Sequence, residues 1–537
     1  MGRDPEVKAT SEKARIARAA SLVSAMTLVS RIFGLVREMA FASLVGAGYH
    51  SDAFRIGFRI PNLLRDLFAE GALSAAFVPT YARTQKEDGR EAAFALANSV
   101  LTVLAVLLGA VVVAAAALAW PIVSGLAPGF DDQPGKAALT VLLTRVMMPF
   151  LLLVSFAAVA MGMLNAEERF AVPALSPALF NVVAILWAVL LWAMKLPIEQ
   201  VVLGWAIGTL VGGLAQFGVQ VPSLRRLGWR FRPRWAPRDP GLLRIARLMA
   251  PATVGLAAVQ VNIFVSSRFA SEDPGAVSWL DYAFRLLYLP IGLFGVALGT
   301  IATSGLARRA AEGDMAGLRD TLRQALSMLA FLTVPATVGL MVLRVPVVRL
   351  IYERGRFTPG DTDGTATALA AYSLGLLGYS GVKVIAPAFY ALGRPRIPLL
   401  GSGLAVATNL VVILVAHRSF GFRAVAFGTA MASLVNLAFL GAAFERRMGG
   451  LLGHGLFRPV IRMGLAAAVM GLLAWLSAAG LEHVVGSRGH AAHALTGLVP
   501  VLAGILAYLA LTRAMRVGEA EILWHLLAGR LRPGSKG

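Results

Sequence analysis

A helix that crosses the hydrocarbon core of a bilayer needs about 20 mostly apolar residues. This chain of 537 residues supplies such runs repeatedly, at 22–46, 52–82, 93–119, 138–163, 173–194, 200–221, 244–268, 277–305, 324–348, 365–391, 397–416, 421–442, 460–480 and 494–514. In lipid every backbone N–H and C=O must be satisfied internally, so the segments read as helices. Composition agrees: 57% of residues are hydrophobic and 15% charged, against roughly 45–50% and about 25% in soluble domains. Soluble, disordered, collagenous and disulfide-scaffold classes are excluded. The expected fold is all-α, a polytopic integral membrane protein with about 14 transmembrane helices.

Cysteine is absent, which removes disulfides, thiolate metal sites and cysteine nucleophiles. The first apolar run carries Arg31, Arg37 and Glu38, too much charge for the short apolar region of a cleaved signal peptide. The net charge is +21. Lys and Arg collect in the N-terminal segment, the even-numbered connections and the C-terminal tail, so the positive-inside rule places both termini in the cytoplasm. The expected organisation is a cytoplasmic N-terminal segment (1–20), an N-lobe of helices 1–6 (21–222), a basic cytoplasmic linker (223–243), a C-lobe of helices 7–12 (244–445), helices 13–14 (446–515) and a cytoplasmic tail (516–537). The linker begins SLRRLGWRFRPRWAPRDP at 223–240. An ordinary connection between halves is the expectation, with anionic-lipid or nucleic-acid binding as the other reading. Ala53-Phe54-Arg55 and Ala283-Phe284-Arg285 form a weak internal echo, of the kind seen in transporters built from repeats.

Ionisable residues inside spans cost about 2.5–3.5 kcal/mol each at the bilayer centre and normally face protein or water. Arg31 and Glu38 share a face of the first helix. In the second, Asp52, Arg55, Arg59, Asn62, Asp66 and Glu70 fall within roughly 80°, and Pro61 is expected to bend it. Arg145, Arg268 and Asp281 lie near predicted helix ends, where snorkelling or pairing accounts for them. Arg55 and Arg59 admit either neutralisation by Asp52 and Asp66 or a functional role. Lys383 reads equally as a pathway charge or a counter-ion. Arg31, Arg37, Arg65 and Arg285 are the functional candidates. Together these groups describe a cavity cationic on balance, and arginine's planar donor fork suits phosphate. The chain has no HExxH, Walker A or GxSxG pattern. No catalytic residue, metal site or cofactor is expected, and no coupling ion is assigned.

LVSRIFGLVRE (28–38), SDAF (51–54), RIPNLLRDLFAEGALSAAFVPTYA (59–82), VSWLDYAFRLLYLPIGLFGVALGTIATSGLA (277–307) and YSGVKVIAPAFYALGRPRIP (379–398) strongly resemble the MurJ (MviN) family of lipid II flippases. That family lies in the multidrug/oligosaccharidyl-lipid/polysaccharide exporter superfamily. The resemblance implies two six-helix lobes around a central cavity, with helices 13–14 forming a groove for the polyprenyl tail. It implies alternating access that carries lipid II, an undecaprenyl-pyrophosphate-linked disaccharide peptide, from the inner to the outer leaflet of the bacterial cytoplasmic (inner) membrane. Arg31, Arg37, Arg65 and Arg285 match family arginines that would bind the pyrophosphate. Glu38, Asp52 and Lys383 match further family positions, with Arg55 and Arg59 as supporting charges.

Two departures touch this charge set. Arg65 is followed by Asp66 where many members have a second arginine, and Phe284 precedes Arg285 where some have aspartate. The seventh helix offers Asn262 without a carboxylate, so sodium is not expected. A net cationic cavity would couple the cycle to the membrane potential. Membrane lipids and cell-wall synthesis proteins are candidate partners, and nucleic acid is not. Rival readings are an exporter of another lipid-linked oligosaccharide or small molecule, and a non-transporting scaffold for cell-wall enzymes.

Overall fold

The computed structural model describes residues 29–66, 72–450, 457–486 and 489–522, with Met26 and Trp524. The expected N-terminal segment, residues 67–71 of the second apolar segment (Glu70 among them) and most of the C-terminal tail lie outside these. The described chain is built from helices and divides into two compact units. Unit 1 extends to Pro274 and includes Arg354–Phe357; unit 2 comprises Gly275–Glu353 and the chain from Thr358 onward.

Unit 1 contains α1 (residues 29–45), α2 (Tyr49–Arg65), α3 (Ala72–Asp88), α4 (Arg90–Ala117), α5 (Ala119–Leu126), α6 (Lys136–Met147), α7 (Phe150–Ala166), α8 (Ala171–Ala193), α9 (Ile198–Gly218), α10 (Val221–Arg226) and α11 (Pro240–Ala270). The span Lys136–Ala166 is the most buried of the membrane-crossing stretches among the described residues. A hydrophobic core joins α3, α4 and α7 through Phe77, Tyr81, Leu96, Val100 and Met163. α11, which the sequence reading puts at the head of the C-lobe, falls within unit 1, packed along α3.

Unit 2 contains α12 (Ala276–Pro290), a wider turn (Ile291–Val296), α13 (Ala297–Ala311), α14 (Met315–Val342), α15 (Arg344–Tyr352), α16 (Pro359–Ser373), α17 (Leu376–Ala391), α18 (Arg396–Phe420), α19 (Phe422–Met448), α20 (Phe457–Val485) and α21 (His490–Ala514). α20 and α21 pack together and onto α14, through Phe331, Met463, Met470 and Tyr508. Both units start an inner helix after a Pro-Gly pair whose glycine adopts a left-handed conformation, Gly135 before α6 and Gly275 before α12. Side-chain-bearing residues adopt that conformation rarely, which favours glycine there.

Among the described residues ten helical stretches are long and apolar enough to cross a membrane, or eleven if α16 and α17, bent by 42°, count as one span. The chain is therefore a multi-pass membrane protein. The three expected segments outside that count are 22–46, 52–82 and 244–268; their described residues are helical apart from Gly46, those of the second lying in α2 and α3 on either side of residues 67–71. Large apolar side chains such as Val113, Trp192, Ile301 and Val415 stand on the outer surface, as expected where lipid is the solvent.

Candidate functional site

The charged residues of α1 and α2 find partners on three further helices, α6, α8 and α11. Arg37 Nη1 donates to Asn181 Oδ1 of α8 (3.0 Å) and Nη2 to Glu38 Oε1 (2.8 Å). Its guanidinium lies 5.3 Å from the Phe180 ring centroid, within cation–π range. Glu38, 6% exposed, turns its other oxygen toward α2, where Arg55 Nη2 is 3.5 Å away. Arg55 Nε donates to Ser51 Oγ at 3.3 Å. One carboxylate on α1 thus serves two guanidinium groups. Arg31, on the same helix, is half-buried and has no ion-pair partner among the described residues.

Asp52 takes a different place from the one expected. It is fully buried and pairs with Lys136 Nζ at 2.9 Å, itself fully buried. The ammonium also lies 4.1 Å from the Phe130 ring centroid. Asp52 therefore ties α2 to α6, and Arg55 has a carboxylate contact with Glu38. Arg59 hydrogen-bonds Ser267 of α11; neutralisation by Asp66 was one of its two readings. Asp66 instead accepts from Arg65 Nε and Nη2 at 3.2 and 2.9 Å. Both members of that pair are half-exposed.

Arg145 Nε donates to Ala116 O and Arg268 Nη1 to Gly125 O, backbone contacts in the last turns of α4 and α5. In unit 2, Arg285 Nε meets Asp281 Oδ2 one turn earlier at 3.1 Å, with the side chains 39% and 24% exposed. Phe284 packs edge-on against Tyr372 and Tyr379, so an aromatic cluster fills the position where some family members carry aspartate. Lys383 is exposed.

The sequence reading missed Lys136, Asn181 and Ser267. Lys136 lay in a presumed loop just before the segment starting at 138. Asn181 had a visible signal: an amide in an otherwise apolar helix calls for a partner. Among the described residues no cluster of histidines and carboxylates could hold a metal.

Unit 2 also contains an apolar groove of about 430 Å³. Phe294, Pro335 and Gly339 form one wall, Met470 of α20 and Gly504 and Tyr508 of α21 another. Tyr508, the polar residue of that set, donates its hydroxyl to Phe331 O at 3.0 Å.

Two units of membrane-crossing helices, with arginines set into those helices, define the class: an all-α multi-pass membrane protein. The same fold occurs in an inward-facing multidrug resistance MATE family transporter of the MOP superfamily, with a TM-score of 0.64 and 16% identity over 81% of this chain and 99% of that one. The particular family is fixed more closely. Residues 41–490 match the family model described as Lipid II flippase MurJ. A probable lipid II flippase MurJ from Vibrio cholerae serotype O1 is 35% identical over 93% of this chain and 95% of its own length. A solved lipid II flippase MurJ, in an inward closed conformation, aligns with a TM-score of 0.76 and 26% identity over 92% of this chain and 98% of that one. The chain belongs to the MurJ family of lipid II flippases, which are transporters.

Proposed function

We propose that this chain flips lipid II from the inner to the outer leaflet of the bacterial cytoplasmic membrane by alternating access, with both termini on the cytoplasmic side. One observation supports the reading most strongly. Arg31, Arg37 and Arg65 are half-buried on the first two helices of a chain in this family. In unit 1 these groups take the pyrophosphate oxygens, and Arg285 supplies cationic charge in unit 2. Arg37, Arg65 and Arg285 each rest on a carboxylate, from Glu38, Asp66 and Asp281. Anion binding exchanges that carboxylate for phosphate, a swap between charge-assisted contacts of similar kind. Glu38 retains Arg55 when Arg37 leaves it, which limits the cost of the exchange.

The groove between α14, α20 and α21 holds part of the polyprenyl tail; its apolar walls suit an isoprenoid chain. Each net positive charge moved across the bilayer is worth ~2.3 kcal/mol per 100 mV, so the membrane potential favours the return of the empty, cationic site toward the cytoplasm.

The test is complementation of a flippase-depleted bacterium, with lipid II in the outer leaflet measured directly. The wild-type chain restores exposure of the precursor. Arg31→Ala and Arg285→Ala abolish it at normal membrane abundance. Full activity in both variants would turn the reading toward a scaffold, and retention of lipid II inside despite good expression of the wild type would reject it.

A further inference from the structure

The basic segment between α10 and α11 is a pinned strap with an outward charged face. Trp229, 3% exposed, donates its indole N–H to Asn98 Oδ1 at 3.0 Å, and Asn98 Nδ2 returns a bond to Arg230 O at 3.1 Å. One turn along α4, Thr102 Oγ1 accepts the Arg234 backbone N–H at 3.0 Å. Trp229 and Ile245 belong to the core of unit 1. The backbone path is therefore fixed at three points.

Its depth follows from α4. Asn98, Ser99 and Thr102 are the last polar side chains before the unbroken apolar run at 103–117. The strap is bonded at that boundary, and α10 also ends there, at the close of the span Ile198–Arg226. Headgroups occupy that level of a bilayer. What the strap presents there is a mixture of cations and aromatic rings. Arg225, Arg226, Arg230, Arg232 and Arg238 are exposed; Phe231 and Trp235 are 51% and 59% exposed. The one acid in the stretch, Asp239, caps α11 through Gly241 N and lies 3.9 Å from Arg234. Arg225, Trp229, Arg230 and Phe231 line a concavity of about 510 Å³, large enough for a headgroup.

We propose that this strap is a binding surface for anionic phospholipid headgroups of the leaflet it lies against. Arg225 and Arg230 receive the phosphodiester in the concavity, and Phe231 and Trp235 seat at the glycerol level as interfacial aromatics do. Guanidinium forks match a phosphodiester. A single-stranded nucleic-acid surface would also pair cations with aromatic rings, but nothing would place those rings at the edge of the apolar band, where interfacial aromatics meet lipid. The site uses none of the arginines assigned to the transported substrate.

The full-length protein in neutral detergent micelles, titrated with fluorescent phosphatidylglycerol or phosphatidylcholine, tests this. Expected is a clear preference for phosphatidylglycerol that weakens with salt. An arginine near an anionic surface contributes about fivefold, ~1 kcal/mol, so Arg225→Ala with Arg230→Ala lowers phosphatidylglycerol affinity roughly 25-fold. Trp235→Ala weakens it severalfold, and Trp235→Phe restores it. All these side chains but Trp229 are exposed, so the variants keep the wild-type melting temperature. Unchanged phosphatidylglycerol binding in the double arginine variant overturns the proposal, as does equal binding of phosphatidylcholine. Complete displacement of the lipid by inorganic phosphate would show a phosphate site, and by a single-stranded oligonucleotide a nucleic-acid site; either would also overturn it.

Discussion

α2 and α12 carry the same three letters, Ala-Phe-Arg, and treat the arginine in opposite ways. In α2, Arg55 is buried and its carboxylate contact comes from another helix, at Glu38, while the neighbouring Asp52 is matched by Lys136. In α12, Arg285 is half-exposed and its carboxylate lies one turn away on the same helix, at Asp281. A charge sealed inside unit 1 needs a partner held by tertiary packing. A charge left half-exposed in unit 2 has a carboxylate contact on its own helix. The difference separates structural ion pairs from those available to a ligand, because only the second kind can be exchanged without leaving an uncompensated buried charge.

The sharpest way to break this contrast is at Asp52. Removing one member of a buried pair typically costs ~3–5 kcal/mol, so Asp52→Asn or Lys136→Met is expected to lose most folded protein, measured by thermal melting in detergent. Asp52→Leu combined with Lys136→Met restores most of it, since an apolar pair removes both charges. Failure of the double variant to recover would show that the pair does more than hold α2 to α6.

Arg37→Lys comes next. It keeps the charge but loses the fork that reaches Asn181 and Glu38 together. A hydrogen bond to a charged group is worth ~1.5–3 kcal/mol, so lipid II exposure is expected to fall at least about tenfold while protein abundance holds. Gly504→Phe tests unit 2's groove. A Cβ at Gly504 stands 3.5 Å from Met470 Cγ and 3.6 Å from Ala474 Cβ, ordinary contacts, whereas a full ring occupies the space assigned to the tail. Flipping is expected to drop severalfold, and Gly504→Ala to behave as wild type.

Asp281→Asn is expected to change the melting free energy by well under 1 kcal/mol, as exposed i,i+4 pairs do. An effect as large as that of Asp52→Asn would erase the contrast between the units. The smallest effect falls at Asp314, the N-cap of α14, whose carboxyl is held below its ordinary range by the Gly317 N–H and by Arg309. A depressed carboxyl stabilises above its unfolded pKa and loses that contribution as pH falls through the folded one. Asp314→Asn should therefore lower the melting temperature slightly at neutral pH, with the gap closing only in acid.

Much of this architecture was legible without coordinates. Eleven of the apolar segments coincide with spans, α16–α17 counted as one, and the arginine-bearing motif of α1 and α2 pointed to the family. The partners were not legible. Arg59 and Asp66 share a helical stripe, yet Arg59 reaches Ser267, 208 positions away in sequence, and Asp66 takes its neighbour Arg65. Lys136 lay in a presumed loop because hydropathy scores a lysine the same whether it is solvated or sealed against Asp52 and Phe130.

Sequence alone determined that this chain lives in a membrane as a bundle of helices, because length and apolarity of a run suffice to settle its solvent. It also determined which helices carry charge, since each such residue stands out against an apolar background. Tertiary structure decided which charges are sealed and which stay open. Pairing depends on which helices pack side by side, and neither period nor composition encodes that. The basic strap shows the same division: its charge is plain in the letters, but its fixed course along α4 rests on Asn98 and Thr102, more than a hundred residues before it.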